Sequence, residues 1–116
     1  MIDRRVSPRI KADLSAVIKT PREEGVSFAA IQNLGLEGIC FLTKQRLACL
    51  RQFPFKLELS DNEQLNLSIE PRWIQEIELL STSEYKVGAR IANTATAAFA
   101  KYTKFYRAKL KESPAS

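Results

Sequence analysis

The sequence predicts a mainly β domain: about six short antiparallel strands followed by one amphipathic C-terminal helix. Two observations predict it. Apolar and polar residues alternate at period two through most of the chain, the mark of strands buried on one face; near the C-terminus the period changes to that of a helix. The length of 116 residues suits one domain, and 45% hydrophobic with 27% charged residues is an ordinary globular balance. Such a chain can bury a core without help from disulfides or metals.

The elements follow in order. Residues 1–11 are basic, with Arg4, Arg5, Arg9 and Lys11 around Pro8, and read as a flexible arm because the residue before a proline is pushed away from helix. The domain proper is expected over residues 12–112. Ala12, Leu14, Ala16 and Ile18 alternate with Asp13, Ser15 and Lys19. After a charged turn from Pro21 to Gly25, a second strand starts at Val26 and runs to about Gln32. Asn33 to Gly38 holds two glycines and reads as a tight connection. Ile39, Phe41 and Thr43 make a third strand; Lys44 to Arg51 fits a helical turn or a loop equally well. Phe53, Phe55, Leu57 and Leu59 alternate cleanly, Ser60 to Glu63 turns the chain, and a long strand continues through Leu65, Leu67, Ile69 and Trp73. Pro71 inside that strand calls for an edge or a bulge. Thr82 to Glu84 turns again before Tyr85, Val87, Ala89 and Ile91. Ala95, Ala98, Phe99, Tyr102, Phe105, Tyr106 and Leu110 then recur at helical spacing, with Thr94 as the expected N-cap and Lys109 and Lys111 at the negative end of the macrodipole. Closure into a barrel or a sandwich would remove exposed strand edges.

Composition narrows the function classes. There is no histidine, so a histidine-based triad or zinc site cannot be built from this chain. Cys40 and Cys49 match no zinc or redox spacing and read as two reduced thiols, with a single disulfide in a periplasmic protein as the minor alternative. Charges interrupt every apolar run and no signal-peptide core follows Met1, so a cytoplasmic protein without membrane insertion is expected. Eighteen Lys and Arg against 13 Asp and Glu give a net charge of +5, which suits an anionic ligand, a nucleic acid or an acidic partner.

Two short elements stand out: Arg5-Val6-Ser7-Pro8-Arg9 with Arg4 before it, and Asn33-Leu34-Gly35-Leu36-Glu37-Gly38. Here the chain resembles the PilZ family, which carries Arg-x-x-x-Arg followed downstream by Asp/Asn-x-Ser-x-x-Gly. Arg5 and Arg9 match the first motif and Arg4 an extra arginine often found there. Asn33 and Gly38 match the ends of the second, and Gly35 replaces its serine. Arg72-Trp73 and Tyr85-Lys86-Val87-Gly88-Ala89-Arg90-Ile91 resemble the family's closing strands. The resemblance implies a six-stranded antiparallel β-barrel with a C-terminal α-helix. It also implies a non-enzymatic receptor for cyclic di-GMP that relays the signal to a partner protein in motility, surface attachment or polysaccharide export.

The chemistry agrees with that ligand. A guanidinium can pair bidentately with phosphate, fork onto guanine O6 and N7, or stack on the purine, and lysine cannot do all three. The implied ligand-binding residues are Arg4, Arg5, Arg9, Asn33, Gly35 and Gly38, with no catalytic residue, metal or cofactor. Glycine at 35 lacks a hydroxyl whose hydrogen bond to a charged group is worth about 1.5–3 kcal/mol, although the amides of Gly35 and Leu36 could still meet the ligand. Two rival readings stand beside this one: an adaptor of the same fold that binds protein but no nucleotide, and a small basic barrel that binds nucleic acid. The second lacks an aromatic stacking ladder. Taken singly, the arginines fit a solvated terminus, Asn33 to Gly38 an ordinary turn and Trp73 plain packing. The aromatic helix stripe fits a face packed on the barrel or a homodimer contact.

Overall fold

The computed structural model describes residues 9–18, 27–44, 52–60, 62–78, 80 and 82–112. It contains β1 (Ile10–Lys11), β2 (Ser15–Ile18), β3 (Ser27–Leu34), β4 (Gly38–Thr43), β5 (Phe53–Ser60), β6 (Glu63–Glu78), β7 (Ser83–Ala92) and α1 (Ala97–Glu112). The strands run in the order β1-β3-β2-β5-β6-β7-β4, and β3 also pairs with β4, which closes the sheet. β1 and β2 both pair with β3, at Ile10↔Leu34 and Ser15↔Ala30, and the amide of Ile31 donates to the carbonyl of Leu14 between them at 2.9 Å. They therefore act as one interrupted strand, and the barrel has six staves, all antiparallel.

Period-two alternation puts Ala16 and Ile18, Ala29 and Ile31, Ile39 and Phe41, Phe53, Phe55 and Leu57, Leu65, Leu67 and Ile69, and Val87, Ala89 and Ile91 inside. Phe41 and Phe55 meet at its centre with ring centroids 5.0 Å apart. α1 packs on β6 and adds Tyr102 and Tyr106 to the same core.

Several expectations are corrected. Ile10 is buried and Ile10–Lys11 pair with β3, so ordered structure begins before residue 12. β3 continues through Asn33 and Leu34, which leaves only a short link to β4. Ser83 and Glu84 already pair with β6 instead of turning. The helix cap is Thr96, whose Oγ1 accepts from the amide of Phe99 at 3.1 Å, and not Thr94. Phe99 is only partly buried, while Tyr102 and Tyr106 are buried fully. Cys40 is a buried free thiol; Cys49, the Pro21 to Gly25 turn and the segment before Gln52 lie outside the described residues. Among the described residues no helix is long and apolar enough to cross a membrane.

Burial sets unequal costs for two phenylalanines on the strands either side of β2. Phe55 is fully buried and Phe28 is 66% exposed. Phe55→Ala is expected to cost about 3–5 kcal/mol, and Phe28→Ala to stay within about 0.5 kcal/mol, as measured by urea unfolding.

Candidate functional site

Two β-bulges shape the outer wall. In β3 the register shifts between Ile31, opposite Phe41, and Asn33, opposite Cys40. One extra residue, Gln32, is accommodated there, so Asn33 faces out and Leu34 takes the inward place. In β6 the shift lies between Pro71, opposite Ala89, and Trp73, opposite Gly88. Arg72 is the extra residue, and Trp73 is turned out of the core to 47% exposure. Cys40 and Gly88 face each other across β4 and β7. The two bulges therefore sit at opposite ends of one outward rung, Asn33–Cys40–Gly88–Trp73. Three inter-strand steps make that rung roughly 14 Å wide, with small residues in its middle. The proline in β6 signalled the second bulge; the first had no such signal.

The Trp73 indole lies on Gly88. An ideal Cβ at Gly88 would come within 2.2 Å of indole Cε2 and Nε1, so glycine is required by close approach of the ring. The neighbouring outward rung is Gly38–Arg90–Glu70. Glu70 Oε1 lies 3.1 Å from Arg72 Nη1 and 3.6 Å from Arg90 Nε. These exposed pairs add little stability, but they hold two guanidinium groups over the wall.

Arg9 completes the site from the other side. Its Nη1 donates to Asn33 Oδ1 at 3.0 Å. Its side chain lies across the β3–β4 link: a Cβ at Gly35 would sit 3.2 Å from Arg9 Cδ and Nε, and one at Gly38 would sit 3.2 Å from Arg9 Nη2 and from the Ala89 carbonyl oxygen. Neither glycine adopts a left-handed backbone, so positive φ is not their reason for being glycine. Both lie against the Arg9 side chain, which would have to give by a few tenths of an ångström to admit a Cβ at either. The amide of Gly35 donates to the Gly38 carbonyl at 2.8 Å, which corrects the expectation that it is available to a ligand. The Gly35 carbonyl accepts from the Tyr102 hydroxyl at 2.6 Å. Burial pushes the Tyr102 hydroxyl well above its ordinary value of 10.0, against a smaller downward pull from the Arg9 guanidinium and with some upward help from Tyr106.

Of the residues the sequence singled out, Arg9, Asn33, Gly35 and Gly38 come together, although they span separate parts of the chain. Arg4 and Arg5 lie outside the described residues. Sequence reasoning missed Arg90, Glu70, the outward platform of Trp73 on Gly88, and Tyr102. A glycine inside a strand pattern was the available hint for Gly88. Among the described residues no group of carboxylates and thiols could hold a metal ion.

The fold is that of PilZ domains. No protein-family model matches the sequence, and no curated protein does; the likeness is to solved structures. The PilZ domain of YcgR from Escherichia coli, solved with cyclic di-GMP, aligns with TM-score 0.68 and 14% identity over 97% of this chain and 100% of that one. The Bacillus subtilis inhibitor of motility, MotI/DgrA, aligns with TM-score 0.71 and 18% identity over 98% of this chain and 55% of that one. The complex of K. pneumonia MrkH with cyclic di-GMP gives TM-score 0.69 and 16% identity over 96% and 56%. This chain thus spans about half the length of the last two.

Two outcomes test this geometry. Gly88→Ala must displace the indole, and because Trp73 is the one tryptophan, the change reads directly as a red shift of fluorescence. Tyr102 keeps its proton in the folded state at a pH where the unfolded chain has lost it, so stability is full below pH 10.0 and falls as pH rises beyond it. In Tyr102→Phe that alkaline component of the unfolding curve should vanish.

Proposed function

We propose that this domain binds cyclic di-GMP on its outer wall and passes the signal to a partner protein by contact, without catalysis. The observation that carries the reading is Arg9 laid across Gly35 and Gly38 and hydrogen-bonded to Asn33, on the same wall as the Trp73 platform. A flat dianion with two purines needs forked cations, a base-edge amide and an aromatic surface. Arg9 and Arg90 offer the first, with Arg4 and Arg5 added from the N-terminal segment. Asn33 supplies the amide, and the exposed indole face suits stacking. The glycine at 88 lets the indole lie flat on the wall, with its outer face open to a planar ligand. The structures with this fold that were solved with cyclic di-GMP lend support.

Binding would release Arg9 from Asn33 and draw the N-terminal segment over the nucleotide, altering the surface offered to a partner. The process would be motility, attachment or polysaccharide export, in the cytoplasm, where a thiol such as Cys40 stays reduced. One feature favours a second reading, an adaptor that binds protein alone. Gly35 lacks the motif hydroxyl, and Arg9 already has Asn33 as a partner.

Calorimetric titration with cyclic di-GMP separates the two. Saturable binding in the wild type, weakened at least about tenfold in Arg9→Ala and in Arg5→Ala and weakened further by salt, supports the receptor. No heat of binding leaves the adaptor. Gly35→Ser should tighten binding by up to one charge-assisted hydrogen bond, about 1.5–3 kcal/mol. Its Cβ asks only that the exposed Arg9 side chain give by a few tenths of an ångström, so the melting temperature should hold.

A further inference from the structure

The aromatic stripe of α1 carries its hydroxyls in the unexpected places. The two fully buried rings are Tyr102 and Tyr106, and the partly buried ones are Phe99 and Phe105. Burial alone would favour the reverse, because a phenol taken out of water must find a partner. Tyr102 finds the carbonyl of Gly35, 67 residues earlier, at 2.6 Å. Gly35 is held at several points. Its amide is bound to the Gly38 carbonyl, and the carbonyl of Glu37 in the same link accepts from the Ile91 amide of β7 at 2.8 Å. The Arg9 side chain covers Gly35 from outside. Gly35 is itself buried, so loss of the hydroxyl would leave a carbonyl shut away from water without its donor.

We propose that Tyr102 is the positioning residue of the Arg9–Asn33–Gly38 site: its hydroxyl fixes the Gly35 peptide on which Arg9 rests. The helix thereby becomes part of the binding site. The ligand assigned to that site rests on the function proposed above; the positioning role does not. Because binding couplings are reciprocal, whatever tightens the link from Gly35 to Gly38 also tightens the docking of α1, and a loosened α1 hydroxyl weakens the site.

Tyr102→Phe removes one oxygen and keeps the ring that stacks on Phe99 at 6.2 Å. Phe105→Ala loosens the helix without touching Gly35 and serves as the control for helix stability alone. In the full chain at a temperature where both variants are folded by circular dichroism, amide hydrogen exchange is followed at Gly35 and Gly38, with the Arg9 Nε resonance. Tyr102→Phe should speed exchange at both amides and shift Arg9 Nε, while Phe105→Ala leaves them as in the wild type. In a cyclic di-GMP titration Tyr102→Phe should lose about tenfold in affinity, the worth of one orienting hydrogen bond, and Phe105→Ala should lose none. Unchanged exchange in Tyr102→Phe, or equal changes in both variants, overturns the proposal. If the wild type binds no nucleotide, the ligand assignment falls and the exchange result alone decides: faster exchange in Tyr102→Phe only upholds the positioning role.

Discussion

A closed barrel keeps its core dry by strict alternation, so an outward residue can replace an inward one only where a strand takes in an extra residue. Everything at the candidate site depends on that constraint. Were the ladder unbroken at Gln32, Asn33 would point into the core as Ile31 does; were it unbroken at Arg72, Trp73 would point inward after Ile69 and Pro71. Each bulge restores the alternation beyond itself and exports one side chain. Because Asn33 and Trp73 end the same rung, the two insertions set a polar amide and an aromatic ring facing across a floor of small residues. The following outward rung then brings Gly38, Arg90 and Glu70 alongside.

The link between β3 and β4 turns this wall into a site. Glycines at 35 and 38 leave space that Arg9 fills, and each backbone group of Gly35 is committed inside the protein, one to Gly38 and one to Tyr102. The missing serine hydroxyl has a steric counterpart: its Cβ would crowd Arg9. A flexible, exposed arginine gives way at small cost, so the departure bears on ligand contacts far more than on the fold.

Much of this was legible beforehand because it is local. Alternation from Phe53 to Leu59 and the change of period after Ile91 depend on nearest neighbours, and both elements formed where their patterns lay. Pro71 announced its bulge because a proline lacks the ladder donor. Arg9, Asn33, Gly35 and Gly38 were found through motif spacing and do converge. What escaped was set by register. Nothing in the neighbourhood of Asn33 marks the extra residue Gln32, so local pattern ends the strand near Gln32 while the ladder carries it on to Leu34. The pairing of Trp73 with Gly88, of Gly38 with Arg90, and of Tyr102 with Gly35 joins residues far apart in the chain. Helical spacing placed the aromatic stripe but not which rings go deepest; that depends on where the Gly35 carbonyl needs a donor.

The central claim is that one wall, from Arg9 and Asn33 to Trp73, receives a planar dianionic nucleotide. The most direct measurement is a nuclear magnetic resonance titration of isotopically labelled protein with cyclic di-GMP. Saturable shifts should centre on Arg9 Nε, the Asn33 side-chain amide, the Gly38 amide and the Trp73 indole N–H, with the far wall of β5 unmoved. Shifts confined to other faces, or none at saturating nucleotide, would contradict it.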